Sequence, residues 1–182
     1  MPKKFALIGT SCTGKTTLIY MLKNTMENKK PKKKIIIAEE AARKYFEGKN
    51  IKNRFSFFHQ KNIQNLAQEI ELKAQENADY ILCDRSVLDA AAYVHATGKK
   101  QNTKKLLNRI DDWLKTYTHL FLLDPKDIDY KIDNIRKERK KTREKFHQSF
   151  IEILSNSHLP WTLISGTIYE RIPKMMRIIE TT

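Results

Sequence analysis

Apolar residues in this chain gather into five short runs, and the stretches between them place apolar residues at helical spacing. The runs are Phe5-Ala6-Leu7-Ile8, Lys34-Ile35-Ile36-Ile37-Ala38, Tyr80-Ile81-Leu82-Cys83, His119-Leu120-Phe121-Leu122-Leu123 and Trp161-Thr162-Leu163-Ile164. Short, continuous apolar runs are the mark of strands buried on both faces. Helices are expected over residues 17–26, 39–46, 55–78, 87–96, 106–114, 130–154 and 168–179. Within 55–78 the apolar positions are Phe58, Ile63, Leu66, Ile70 and Leu72; Gly48-Lys49-Asn50 and Gly98 break the pattern. Strands separated by helices imply a parallel sheet covered on both sides, the three-layer α/β class, and ligands in such sheets sit beyond the C-terminal strand ends.

Composition narrows the class. At 182 residues, 40% apolar and 31% charged, the chain fits one globular domain over 1–182. No apolar run approaches the length of a membrane span, and Met1-Pro2-Lys3-Lys4 leads into a strand, not a signal segment. The two cysteines, Cys12 and Cys83, make neither a disulfide framework nor a metal site, so a reducing cytoplasmic setting without a membrane partner is expected. The five histidines lack ligand spacing, and Trp113 and Trp161 are expected in the core. A formal charge of +14 changes the picture, with basic residues gathered at 29–34, 99–105 and 126–145. Such an excess favours polyanions, nucleic acid above all, or it decorates a solvated lysine-rich surface.

Chemistry enters at the end of the first apolar run. Gly9-Thr10-Ser11-Cys12-Thr13-Gly14-Lys15-Thr16-Thr17 satisfies G-x-x-x-x-G-K-[ST] between an expected strand and an expected helix. Gly9 and Gly14 let the backbone turn so that N–H groups from Ser11 to Thr17 face phosphate oxygens. The helix N-terminus adds positive potential, Lys15 neutralises the β- and γ-phosphates, and the Thr16 hydroxyl suits Mg²⁺. A nucleoside triphosphate, ATP with Mg²⁺, is the expected ligand.

The remaining strand ends carry Glu39-Glu40, Asp84-Arg85-Ser86, Asp124-Pro125 and Ser165-Gly166-Thr167. Phosphoryl transfer needs a triphosphate cradle, a metal ion, a carboxylate for the acceptor hydroxyl and cations over the moving group. Asp84 is the candidate for Mg²⁺ and doubles as a candidate cap of the following helix. Glu39 or Glu40 is the candidate base, the other glutamate forming a helix-surface pair such as Glu39 with Arg43. Arg85 is the candidate clamp for a phosphate, and Asp124 before Pro125 suits a turn cap. On a helix Arg136, Arg139 and Arg143 share a face, which fits either a lid over phosphates, about 126–155, or a solvated charge run.

These blocks together resemble P-loop nucleoside and nucleotide kinases, close in pattern to the compact AAA-labelled domains that include bacterial ribosylnicotinamide kinases. The resemblance runs nearly end to end: the phosphate loop, Ala38-Glu39-Glu40-Ala41-Ala42-Arg43, Asp84-Arg85-Ser86-Val87-Leu88-Asp89, the 136–143 run and Ser165-Gly166-Thr167. It implies strand order 2-3-1-4-5 with a helical lid. It further implies Lys15 and Thr16 on phosphate and magnesium, Asp84 near the metal, and Arg85 on phosphates. Glu39 or Glu40 would be the acceptor base, and the loop at Gly166 would lie against adenine. The expected activity is ATP-dependent transfer to a nucleoside, nucleotide or similar small acceptor. The first alternative keeps the chemistry and takes a nucleic-acid hydroxyl, at a polynucleotide end or on a modified base such as a hydroxymethyl pyrimidine. A second is an ATPase or GTPase switch without a phosphorylated acceptor. Against that switch, Asp124-Pro125-Lys126-Asp127 is not the Asn-Lys-x-Asp of guanine recognition, and Cys83-Asp84-Arg85 is not the acidic pair of a motor.

Overall fold

The computed structural model describes residues 1–126 and 140–182, with the side chain of Lys140 left out. In chain order the elements are β1 (Lys3–Ile8), α1 (Lys15–Lys29), β2 (Ile35–Ala38), α2 (Ala41–Phe46), α3 (Phe57–Gln75) and β3 (Tyr80–Asp84). They continue with α4 (Val87–Ala96), α5 (Lys100–Leu114), β4 (His119–Leu123), α6 (Lys140–Ser155), β5 (Trp161–Ile164) and α7 (Ile168–Thr181). All five expected strands form, pairing in parallel in the order β2-β3-β1-β4-β5. Among the described residues no helix is long and apolar enough to cross a membrane.

Alternation along β1 divides the core into two layers. Phe5 and Leu7 face Leu18, Ile19, Leu22 and Met26 of α1 and Met175, Met176 and Ile179 of α7. Ala6 and Ile8 face the opposite layer, where α4, α5 and α6 supply Leu88, Ile110 and Phe150 among others. Both faces of the strand are therefore dry, which is why its sequence runs apolar without interruption. The chain turns one way from β1 to reach β2 and β3 and the other way to reach β4 and β5. The register Leu7↔Asp84 and Ile8↔Leu122 brings the ends of β3, β1 and β4 level, so the loops after them open on one crevice.

The departures from the expected elements lie in the helices. The region 55–78 folds as α3 over Phe57–Gln75, and its buried positions include Gln60, Gln64 and Glu71, whereas Phe58 and Leu72 are 64% and 50% exposed. Hydropathy misassigns this face because its polar side chains are individually bonded. Gln64 Nε2 donates to the carbonyls of Val87 and Leu106. Glu71 accepts from Lys4 Nζ at 2.7 Å, Trp113 Nε1 at 2.9 Å and the Tyr117 hydroxyl at 2.6 Å. Helix α5 starts at Lys100, not at 106, because its first turn is polar and only Thr103 is buried there. Residues 39 and 40 precede α2 instead of opening it, with Glu40 as its N-cap residue. The expected helix over 130–154 corresponds to α6, and its part from 130 to 139 lies outside the described residues. Trp113 and Trp161 are partly buried against the core. Histidines serve structural contacts, His59 with the Tyr45 hydroxyl and His119 with that of Thr162.

Lys4 and Glu71 are only 1% and 2% exposed, and the Lys4 ammonium also lies 4.3 Å from the Tyr117 ring centroid. A pair this deeply desolvated is strongly destabilising when one partner is lost, because the other charge stays buried alone. Glu71→Ala is expected to lower the unfolding free energy by roughly 3–5 kcal/mol in urea titrations followed by circular dichroism. The double variant Lys4→Met/Glu71→Leu is expected to recover the part of that loss due to the stranded ammonium, while Trp113 Nε1 and the Tyr117 hydroxyl still lack their acceptor. Equal stability of the single variant and wild type would contradict the assignment of a buried ion pair.

Candidate active site

The loop between β1 and α1 departs from ordinary backbone at three places. Gly9 (φ 127°), Cys12 (φ 59°) and Gly14 (φ 76°) all lie at positive φ. A Cβ on Gly9 would also lie 3.3 Å from the Leu123 carbonyl oxygen, a tight approach to β4 on top of a φ that strains any side chain. Helix α1 begins at Gly14 without a side-chain cap and without an acidic residue in its first turn, which leaves its amide donors available to an anion. Four carbonyls of the loop are held. Gly9 O accepts from Arg85 Nη1 at 2.9 Å, Thr10 O from the Thr13 hydroxyl and Lys15 Nζ, Thr13 O from Arg171 Nη1 at 3.2 Å, and Gly14 O from Leu18 N at 2.9 Å. Lys15 is buried, and that desolvation, reinforced by the Arg85 charge, lowers its pKa to about 7.

Asp84 ends β3 at the register position beside Leu7. Its Oδ2 accepts from the Thr16 hydroxyl at 2.9 Å, and its Oδ1 is buried without a hydrogen-bond partner among the described residues. The helix cap expected of Asp84 belongs instead to Ser86, whose hydroxyl accepts from Leu88 N while Asp89 returns a bond to Ser86 N. Asp84 is thus left facing the loop. A carboxylate oxygen without a donor, next to a hydroxyl at the head of α1, fits a hard divalent cation that completes its shell with phosphate and water. Among the described residues no group of three or more His, Cys, Asp or Glu side chains is placed to hold a metal by itself, as a Mg²⁺ shared with a nucleotide does not require.

Arg85 adopts φ 77°, a left-handed elbow fastened by its N–H to the Leu7 carbonyl at 3.0 Å. That elbow turns the side chain inward, where its guanidinium meets four acceptors. These are Glu40 Oε1 at 2.7 Å, Gly9 O at 2.9 Å, Asp89 Oδ1 at 3.1 Å and the Tyr93 hydroxyl at 3.1 Å. The expected phosphate clamp is therefore a residue engaged with protein acceptors on several sides. The two glutamates separate. Glu39 is exposed and pairs with Lys44 at 2.6 Å, not with Arg43, because α2 begins only at Ala41 and the helix-surface spacing does not apply. Glu40 points into the crevice, and Arg43 lies 3.6 Å from its Oε2. Burial pushes the Glu40 carboxyl up, but the charge and hydrogen bond of Arg85 outweigh it and hold the pKa below the ordinary glutamate value. Asp89 moves the other way, raised by burial against the opposing pull of Arg85.

These groups line one cleft of about 790 Å³. Ser11, Cys12, Thr13, Gly14, Lys15, Thr16 and Thr17 form one end, and Glu40, Asp84 and Arg85 lie in its walls. Its lining also includes the aromatic and polar side chains of Phe46, Arg54, Phe55, Gln60 and Tyr93. The rings of Phe55 and Tyr93 stack at 5.3 Å and 6°. Glu39 lines the rim. Gly166 lies elsewhere, in the loop after β5, where its carbonyl accepts from Arg171 Nε at 2.7 Å and Thr167 opens α7. Of the three aligned arginines, Arg136 and Arg139 lie outside the described residues. Arg143 is buried in α6 and donates to the Pro125 carbonyl at 2.8 Å, a contact that braces the β4 loop and does not present its guanidinium as an open lid. Asp124 makes the expected turn, accepting from Lys126 N.

Sequence reasoning missed Tyr93, Phe55, Gln60 and Arg171. The first carried a partial signal: Asp89 and Tyr93 are four apart on one face of α4, and Arg85 precedes that helix by the same interval. Phe55, Gln60 and Arg171 carried none, since each reaches its place only through tertiary contacts.

The fold and loop define a P-loop nucleotide-binding domain of the three-layer kind. The chain belongs to the family described as AAA domain, whose profile matches residues 4–171. No curated protein matches the sequence. Among solved structures, a deoxyadenosine kinase from M. mycoides, with products dCMP and dCDP bound, superposes with a TM-score of 0.62 at 15% identity, covering 98% of this chain and all of that one. A thymidylate kinase from Ehrlichia chaffeensis gives 0.68 at 13%, covering 98% of both. The NadR protein in complex with NAD and AMP-PNP gives 0.72 at 18%; it covers 99% of this chain, which spans about half of the NadR chain. At such identities the likeness is one of fold, and that fold is the one used by nucleoside and nucleotide kinases.

The opposed effects on Glu40 give a direct check. Replacing Arg85 by Gln removes the largest attraction and leaves burial opposed only by Lys15 and Arg43, so the Glu40 carboxyl is expected to titrate higher than in wild type, where it lies below the ordinary 4.5. Carboxyl carbon chemical shifts followed against pH measure both. In wild type the stabilisation from the ionised Glu40 is present above pH 4.5 and lost as pH falls through the depressed value.

Proposed function

We propose that the protein is an ATP-dependent phosphotransferase that moves a γ-phosphoryl group to the hydroxyl of a nucleoside-type acceptor. The observation that carries this reading is the placement of Glu40. It is a carboxylate kept ionised by Arg85, in the same cleft as Lys15, Thr16 and Asp84, with aromatic walls beyond it. A switch needs no second pocket. A kinase needs one that holds an acceptor oxygen between the phosphate cradle and a base.

In this reading the amides of the loop and Lys15 hold the β- and γ-phosphates. Burial disfavours the Lys15 charge when it faces only protein, and the phosphates would restore it. Thr16 and Asp84 would hold Mg²⁺, which supplies charge neutralisation on the phosphates when bound. Glu40 accepts the acceptor's hydroxyl proton as that oxygen bonds to the γ-phosphorus. The bond from the γ-phosphorus to the β,γ-bridging oxygen breaks, and ADP departs. Arg85 fixes Glu40 in one rotamer and joins it to Gly9, so base and cradle keep a constant separation. The stacked Phe55–Tyr93 pair gives the cleft an aromatic wall for a base, with Gln60 and Arg54 as polar neighbours.

A γ-labelled ATP panel of nucleosides, mononucleotides and hydroxyl-ended or base-modified oligonucleotides tests the assignment. With whichever acceptor reacts, Glu40→Gln is expected to lower kcat by about 10²–10⁴-fold with little change in the KM for ATP. Glu39→Gln is expected to stay within about twofold, because its partner is a surface lysine. Nucleotide turnover with no labelled acceptor anywhere in the panel would return the reading to a switch.

The +14 charge supports a second reading, in which the acceptor base belongs to a nucleic-acid strand. Phosphorylation of an oligonucleotide acceptor is then expected to fall by orders of magnitude in kcat/KM from 50 to 200 mM salt. Equal salt response for oligonucleotide and free nucleoside would remove that reading.

A further inference from the structure

The phosphate loop has a support that its own motif does not contain. Arg171 stands in the first turn of α7, far along the chain from the loop, and is 1% exposed. Its guanidinium reaches the carbonyls of three separate strand-end loops. Nη1 donates to Thr13 O at 3.2 Å, Nη2 to Asp124 O at 2.7 Å, and Nε to Gly166 O at 2.7 Å. One planar fork thus spans the loop after β1, the loop after β4 and the loop after β5. A lysine cannot do this, because its ammonium is a single point on a flexible stem.

The contact with Thr13 carries the consequence. In a trans peptide the C=O of one residue and the N–H of the next point in opposite directions. A carbonyl of Thr13 held from behind therefore turns the Gly14 N–H forward, toward the anion face at the head of α1. Gly14 lies in the left-handed region, where glycine is free to adopt other conformations, so the peptide needs an external anchor to keep one orientation. Thr13 is otherwise held through its hydroxyl, which donates to Thr10 O and accepts from Lys15 Nζ; neither contact fixes the plane of the Thr13–Gly14 peptide.

We infer that Arg171 is a positioning residue for nucleotide binding: it locks the Thr13–Gly14 peptide with its N–H toward the phosphates and couples that lock to the loop at Gly166. The inference rests on the phosphate-binding part of the reading above. It goes beyond it by assigning the loop's geometry to a side chain in the last helix. The coupling runs both ways. Whatever displaces the Gly166 loop also pulls on the guanidinium and loosens the Gly14 amide, so the loop after β5 and the phosphate cradle are tuned together.

Binding of inorganic tripolyphosphate, measured by titration calorimetry on the whole chain, tests this without involving an acceptor or a base. Arg171→Met is expected to weaken tripolyphosphate binding by about tenfold or more. Met175→Ala, one turn further along α7 and fully buried, is the control, because it destabilises the same helix without touching a loop carbonyl. It is expected to keep the affinity within about twofold at a comparable loss of Tm. If Arg171→Met does not fold, Arg171→Lys reads the same quantity, keeping the charge while losing the fork. Arg171 variants that bind as wild type overturn this inference alone, and so does a Met175→Ala affinity loss equal to theirs. Wild-type protein that fails to bind tripolyphosphate overturns the phosphate-site reading, and this inference with it.

Discussion

A loop that receives phosphates through its backbone must keep several N–H groups unbonded to protein and turned toward one point, and that constraint organises the whole C-terminal edge of this sheet. The chain meets it from behind. The carbonyls of Gly9, Thr10 and Thr13 are held by Arg85, Lys15 and Arg171, each from a different element. Because a peptide's two polar groups oppose each other, bonding the oxygens outward sets the amides inward. The same three side chains bring positive charge around an anion site, Lys15 from within the cleft and Arg85 and Arg171 through the loop carbonyls, so the scaffold and the electrostatics are one arrangement.

Arg85 joins this loop to the rest of the cleft. A guanidinium turned this far inward needs its donors met, and here a carbonyl, two carboxylates and a phenol meet them. That requirement fixes the neighbours as firmly as it fixes the arginine. Glu40 after β2, Gly9 after β1 and Asp89 and Tyr93 on α4 are brought into one cluster. The left-handed backbone at residue 85, unfavourable for a side chain of this size, persists because the cluster and the bond to Leu7 O outweigh it. Phosphate end, candidate base and aromatic wall are thereby held by a single side chain.

The strands were legible to within two residues, since the central strands β1, β3 and β4, buried on both faces, leave short apolar runs between helical stretches. Helix α3 was less legible. Its exposed Phe58 and Leu72 and its buried Gln64 and Glu71 invert the usual code, because specific hydrogen bonds outweigh hydropathy when each polar group finds a partner. The choice between Glu39 and Glu40 turned on where α2 begins. One residue of difference sends one carboxylate to Lys44 at the surface and the other to Arg85 inside. The arginine row at 136–143 looked uniform as a sequence; its one described member, Arg143, is a buried brace on Pro125.

By itself the sequence determined the layer architecture, the phosphate loop and the list of charged residues that arrive at strand ends. These follow from local rules: apolar runs, glycine at the turns, and the fact that every parallel strand delivers its successor residues to the same edge. The tertiary structure alone decided which of those residues face one another. Arg171 reaches Thr13 across 158 positions of sequence, and Phe55 meets Tyr93 from a different element. No local pattern encodes such contacts, because burial of a charge or a ring is satisfied by partners that only the folded chain supplies.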